Sequence, residues 1–180
     1  MNKVYCWLPK PPNVGHASLA ISVGEGPGRA EYVSWWPTGP TGTKGNQGAK
    51  PTKPAEKFKA AVSTYADDTA SEGGVADPTV EITCLDEDRM RSAFKEMKKD
   101  LTYNMTYKSC ATAVAQVLLA GGGCLSFDCL NYAKRVVWTP IETNRLALLI
   151  NADARAIREG IANGFRPAAQ FVVPSFRSGY

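Results

Sequence analysis

Hydrophobic and polar positions come in short blocks at the start of the chain and take on a helical period in its middle. Residues 3–8 and 14–23 read as short strands. The turn-formers of GEGPGR, residues 24–29, separate the second strand from EYVSWW, residues 31–36. That stretch is aromatic and β-branched and reads as the returning strand of a hairpin. TVEIT, residues 79–83, is a further strand. Asp86 then opens a helix to about Lys99, in which Met90, Phe94, Met97 and Leu101 recur at i, i+4, i+7 and i+11 and make one buried stripe. Acids at its start and lysines near its end suit the helix dipole. In YKSCATAVAQVLLAGGG, Ser109 is a natural N-cap, Ala111, Val114, Ala115, Val117 and Leu118 form the apolar face, and three glycines from Gly121 end the helix.

Two more helices are expected, over about 140–150 with Pro140 in the first turn, and over about 153–162. QFVV, residues 170–173, reads as a strand in an otherwise irregular tail. PTGPTGTKGNQGAKPTKP, residues 37–54, has no hydrophobic period. It belongs to a Gly/Pro/Lys-rich insertion at about 37–59, read either as a solvated loop or as a basic arm that meets an anionic surface.

These elements predict one α+β domain over residues 1–180, with a small antiparallel sheet packed against helices. The formal net charge of +4 is a mild bias toward anionic partners such as phospholipid or cell wall. The basic residues form no dense stripe, so nucleic acid is not expected as a partner. The longest apolar run, around residues 111–123, is too short to span a bilayer. The first ten residues lack a basic head followed by an apolar run, so the chain is expected to be made in the cytoplasm without a signal peptide. The five cysteines, Cys6, Cys84, Cys110, Cys124 and Cys129, show no two-residue spacing. With a single histidine, neither a zinc site nor a cofactor is expected. The cysteines read as separate buried thiols, although Cys124 and Cys129 are near enough to bridge in an oxidising compartment.

Cys110 follows its helix cap directly. A helix N-terminus favours the thiolate, and its exposed N–H groups, that of Ala111 first, stabilise an oxyanion on an attacked carbonyl. A nucleophilic cysteine needs a base, and His16 is the only histidine available. Gly15 and Ala17 beside it leave room around the ring. A turn centred near Gly26 places His16 opposite residues near 36, and a slip of two puts Ser34 opposite, on the strand face it shares with Trp36. Ser34 is therefore the first choice to orient the imidazole. Glu31, the better orienter chemically, falls nearer Ile21 and is second, and a backbone carbonyl remains open. Tyr107 and Tyr103, just before Cys110, are candidates to line the site or to pack against the helix, and Trp36 is a candidate substrate contact.

A histidine on an early strand in VGHASLAI, followed much later by a cysteine opening a helix in SCATAVAQVLLAGGG, reverses the papain order. It resembles the circularly permuted papain-like branch of the NlpC-type cysteine hydrolases, which includes the lecithin:retinol acyltransferase-like proteins. YVSWWP and the AGGG helix end are similar to a bacterial set in that branch, the antibacterial effectors delivered by type VI secretion. The resemblance covers about residues 3–37 and 79–145. It implies a permuted papain-like fold, an acyl-enzyme on Cys110 and general base and acid roles for His16. It also implies secretion to a target-cell periplasm, a secretion-apparatus carrier and a cognate immunity protein. The acyltransferase-like relatives often carry a second histidine on the following strand. This chain has none, and Ser34 would fill that place.

The expected chemistry is cysteine-dependent acyl transfer. Phospholipid hydrolysis is the leading reading, with Trp35, Trp36 and the basic loop engaging a membrane. The plainer alternative for the two tryptophans is that one is core and the other exposed rim. A peptidoglycan amidase or endopeptidase is the alternative, and a non-catalytic papain-like binding domain is a third.

Overall fold

The computed structural model describes residues 1–11, 14–22, 30–38 and 58–162. In chain order the elements are β1 (Asn2–Trp7), β2 (His16–Ile21), β3 (Glu31–Val33), β4 (Trp36–Thr38), β5 (Phe58–Ala61), α1 (Tyr65–Glu72), β6 (Thr79–Ile82), α2 (Glu87–Met97), β7 (Thr102–Tyr103), α3 (Cys110–Ala120), α4 (Phe127–Tyr132) and α5 (Pro140–Ala162). The class is α+β. Strands β3-β2-β1-β6 form one antiparallel sheet and β4-β5-β7 a second, smaller one.

Alternation along the strands divides the larger sheet into two faces. Val4, Cys6, Ala17, Leu19, Ile21, Val33, Val80 and Ile82 are buried in the main core with α2, α3 and α5. Tyr5, Trp7, His16, Ser18 and Tyr32 point the other way, where Tyr65 and Asp68 of α1 meet them. Helix α3 runs through the middle. Every residue from Cys110 to Leu118 except Gln116 is buried, as expected for a small-residue helix enclosed on all sides.

The β2–β3 pairing, Leu19 with Val33 and Ile21 with Glu31, has the register that a turn near Gly26 gives. The returning strand is not continuous, however. It breaks at Ser34–Trp35, where the chain passes from the first sheet to the second. The corner drives Trp35 fully into the core, against Phe94 at 6.5 Å, with its indole N–H on Thr102 O at 3.0 Å. Trp36 is buried as well, so neither tryptophan forms an exposed rim.

Four other expectations change. The insertion at 37–59 begins and ends in paired strands, Thr38 lying opposite Lys59; residues 39–57 lie outside the described residues. Leu101 lies beyond the end of α2, which keeps Met90 and Phe94 as its buried stripe. The two helices expected over 140–162 are one, of 23 residues. At Asp153, where the second helix was expected to begin, the helix continues, and the carboxylate accepts the N–H groups of Leu125 and Ser126 at 2.9 and 2.8 Å. Cys124 and Cys129 form a disulfide across a Cα separation of 5.3 Å, while Cys6, Cys84 and Cys110 are free. The strand expected at 170–173 lies outside the described residues.

Candidate active site

Ser109 sets the geometry of the nucleophile. Its extended backbone and its Oγ, which accepts the Thr112 N–H at 3.2 Å, start α3 at Cys110. Position His16 is set by Gly15. That residue has φ +80°, and a Cβ there would lie 2.4 Å from Trp7 O. A side chain at 15 would push β2 off β1 at the residue before the histidine. Gly15 is thus needed for a close backbone approach rather than for room around the ring.

Cys6 N–H turns outward to Pro78 O at 3.1 Å, so the Cys6–Ala17 pair is of the non-hydrogen-bonded kind. The N–H of Ala17 therefore faces the β3 side of its strand. Because β3 ends opposite Leu19, that N–H has no strand partner. It donates to the Cys110 sulfur instead, as does the N–H of Ala111 at the helix start. The hydroxyl of Tyr103 reaches the same place, meeting both the backbone N–H and the sulfur of Cys110. Tyr107 takes no such place. It is 63 % exposed, and its N–H is tied to Asn104 Oδ1 at 2.9 Å.

Behind the histidine lies a residue that the sequence reading passed over. Asp68, on the inward side of α1, is 0 % exposed and accepts four hydrogen bonds. Oδ1 takes the Trp36 indole N–H at 2.6 Å and the Ser34 hydroxyl at 3.1 Å; Oδ2 takes the Tyr32 hydroxyl at 2.8 Å and His16 Nε2–H at 3.1 Å. Ser18 donates to the Tyr32 oxygen at 2.5 Å. Nε2 of His16 also lies 3.1 Å from Ser34 Oγ, whose own proton goes to Asp68. The hairpin register thus brings Ser34 to the ring, where it shares Nε2 with a full charge. Glu31 does not take part; it lies opposite Ile21 and pairs with Lys98 at 2.8 Å. Trp36 stacks on the imidazole at 4.2 Å and 18°. It holds His16 from the ring face and Asp68 through its N–H, and so is a positioning residue rather than a substrate contact.

The electrostatics follow from this chain of contacts. Burial alone would raise Asp68, but the His16 hydrogen bond and charge, with the Trp36 and Tyr32 donors, hold it below the usual carboxylate value. Burial alone would lower His16; the Cys110 charge and Asp68 outweigh it and hold the ring up at about 9. Burial alone would raise Cys110, but the His16 charge and hydrogen bond, then the Ala17 and Ala111 N–H groups, bring it below the ordinary thiol value. The three groups thus favour one another's charged forms: the imidazolium stabilises both the Cys110 thiolate and the Asp68 carboxylate.

The sign of the pH dependence is set by these directions. The thiolate–imidazolium pair forms as Cys110 ionises below its ordinary range, and it is lost as His16 deprotonates near 9. Activity is expected to follow a bell whose alkaline limb lies near that value. In His16→Ala, alkylation of Cys110 at about pH 6 is expected to slow at least about tenfold, because the counter-charge that maintains the thiolate is gone. Mass-spectrometric labelling of Cys110, with Cys84 as an exposed internal reference, measures this. Unchanged labelling would mean that the helix start alone sets the thiolate.

The family described as the IcsB middle domain matches residues 2–77. The match spans His16, Ser34 and Asp68 and ends before Cys110. No curated protein and no solved structure matches the chain.

Proposed function

We propose that the protein is a cysteine-dependent acyl hydrolase of the bacterial envelope, a phospholipase-type antibacterial toxin with a permuted papain-like arrangement. One observation carries the reading: a buried Asp68–His16–Cys110 relay ends on a thiolate at a capped helix start, with two backbone N–H groups and a tyrosine hydroxyl around the sulfur. The chain order, base before nucleophile, is the one expected of the permuted branch. The Cys124–Cys129 disulfide suits an oxidising compartment such as a periplasm. A toxin delivered there calls for a secretion carrier and an immunity protein.

The chemistry balances in two steps. The Cys110 thiolate adds to the ester carbonyl, and the oxyanion takes hydrogen bonds from the donors at the helix start. The C–O bond breaks, the alcohol leaves with the His16 proton, and a thioester remains. His16 then takes a proton from water, the hydroxide adds to the thioester, the C–S bond breaks, and the thiolate is regenerated as the carboxylic acid leaves and gives its proton to solvent.

Purified protein incubated separately with phospholipid vesicles and with peptidoglycan is expected to release fatty acid from the first and no muropeptides from the second. Muropeptide release with intact lipid would move the substrate to the cell wall and keep the same catalytic residues.

A further inference from the structure

Membrane contact was expected from Trp35, Trp36 and the basic loop, but both tryptophans are buried and the loop lies outside the described residues. A run of exposed apolar side chains lies instead along residues 127–148. Phe127 (77 % exposed) and Leu130 stand out from α4, Val136 (67 %) and Val137 from the α4–α5 connection, and Ile141 (54 %) and Leu148 from α5. This segment is fixed in place. Trp138 is buried against Tyr132 at 5.9 Å, the disulfide closes the α4 turn, and Asp153 holds the backbone at Leu125 and Ser126. The valines are therefore held outward by an anchored loop.

Cations are interleaved with the apolar groups. Lys134, Arg135, Arg145 and Arg155 are all exposed, and Ile141, Arg145, Leu148 and Arg155 recur at helical spacing on one face of α5. The carboxylate of Glu142 is committed to Arg135 and to Thr139. The opposite, buried face of α5 packs toward β1 and the helix that carries Cys110. Thr143 donates to Ala111 O at 3.2 Å, and the Cys6 thiol donates to Pro140 O at 3.5 Å. No helix among the described residues is long and apolar enough to cross a membrane.

We propose that this surface docks the protein on anionic phospholipid bilayers, with Val136, Val137 and Ile141 entering the acyl boundary and Lys134, Arg145 and Arg155 meeting headgroup phosphates. Its catalytic use rests on the phospholipase reading; binding itself does not. Interleaved charge favours a bilayer over a protein partner, because the core of a protein interface is depleted of charge whereas an interfacial segment carries cations beside its apolar anchors.

The test uses the full chain carrying Cys110→Ala, so that lipid stays intact, sedimented with vesicles of phosphatidylglycerol and phosphatidylethanolamine or of phosphatidylcholine alone. Preferential, salt-sensitive binding to the anionic vesicles is expected. Adding Val136→Asp with Ile141→Asp is expected to weaken it at least about tenfold at unchanged melting temperature, and adding Val75→Asp, at an exposed apolar residue between α1 and β6, to leave it unchanged. Absence of vesicle binding, equal binding by the double variant, or a solution dimer that the double variant dissolves without any vesicle binding would each overturn the proposal. A soluble short-chain ester assay on the Cys110 enzyme separates the two readings. Vesicle binding without ester hydrolysis removes the hydrolase and keeps the docking surface. Ester hydrolysis without vesicle binding does the reverse.

Discussion

Cys110→Ala and His16→Ala are each expected to lower ester hydrolysis at least about a thousandfold, and the double variant no further, because nucleophile and base act as one unit. Cys110 is buried at the first turn of α3 and Ala is a good helix former, so that change leaves the fold in place. His16→Ala does more structural damage. It removes one of the four donors of a buried carboxylate and the ring on which Trp36 stacks. The clean comparison is therefore kcat/KM per folded molecule, with folding followed by near-ultraviolet circular dichroism. A Cys110→Ala protein whose toxicity is unchanged would remove the catalytic reading and favour a non-catalytic binding domain of this shape.

The second large effect is expected at Asp68. In Asp68→Asn the shape is kept, but an NH2 group replaces one carboxylate oxygen, and four donors converge on the original group. The indole N–H of Trp36 cannot accept a hydrogen bond, so the amide NH2 is excluded from the Oδ1 side. On the Oδ2 side Tyr32 can rotate its proton away, and Nε2 of His16 can accept if the imidazole proton moves to Nδ1. That tautomer presents N–H rather than a lone pair toward Cys110 and cannot act as its base. A loss of about a hundredfold to ten-thousandfold in kcat/KM is expected, with thiolate labelling of Cys110 at acid pH reduced in parallel. Ser34→Ala leaves Asp68 three donors and His16 its charged partner, so a loss within about tenfold is expected. Equal losses in the two variants would mean that Ser34, not Asp68, is the orienting group. Asp68→Ala orphans several buried donors at about 1–3 kcal/mol each and is expected to lower the melting temperature as well as the rate. Because Asp68 is held below its ordinary value, the stability it contributes is present above that range and is lost as pH falls.

Several parts of the site were legible because their causes are local. Ser109 caps, Cys110 follows, and the N–H groups of a helix start are oriented by the helix itself, so thiolate chemistry is readable within one turn of chain. His16 follows because the chain offers one imidazole. The hairpin register, and with it Ser34, follows from turn residues near Gly26 and the two-residue alternation of strands. What escaped was set by how elements meet. Asp67 and Asp68 sit side by side in the first turn of α1, and both suit the helix dipole. One is exposed and the other fully buried only because of the face that α1 turns to the sheet. That face, Tyr65, Asp68, Thr69 and Glu72, is polar enough to leave no hydrophobic period, so neither the helix nor its buried acid announces itself. The stacking of Trp36 on His16 depends on the corner at Ser34–Trp35, where the chain changes sheets. Asp153 looked like a helix start and is instead an acceptor for a distant loop.

Composition and local pattern thus determined the class of fold, the placement of Cys110 at a capped helix start, the single imidazole and the register that brings Ser34 to the ring. Tertiary structure alone decided that a carboxylate stands behind the histidine, that Trp36 clamps both, and that Phe127, Val136 and Ile141 stand exposed along the α4–α5 segment. The reason is physical. A cap or a turn is satisfied by neighbours in sequence, whereas a buried charge is tolerable only where donors from separate elements converge on it: here β2, β3, the corner after it and β4.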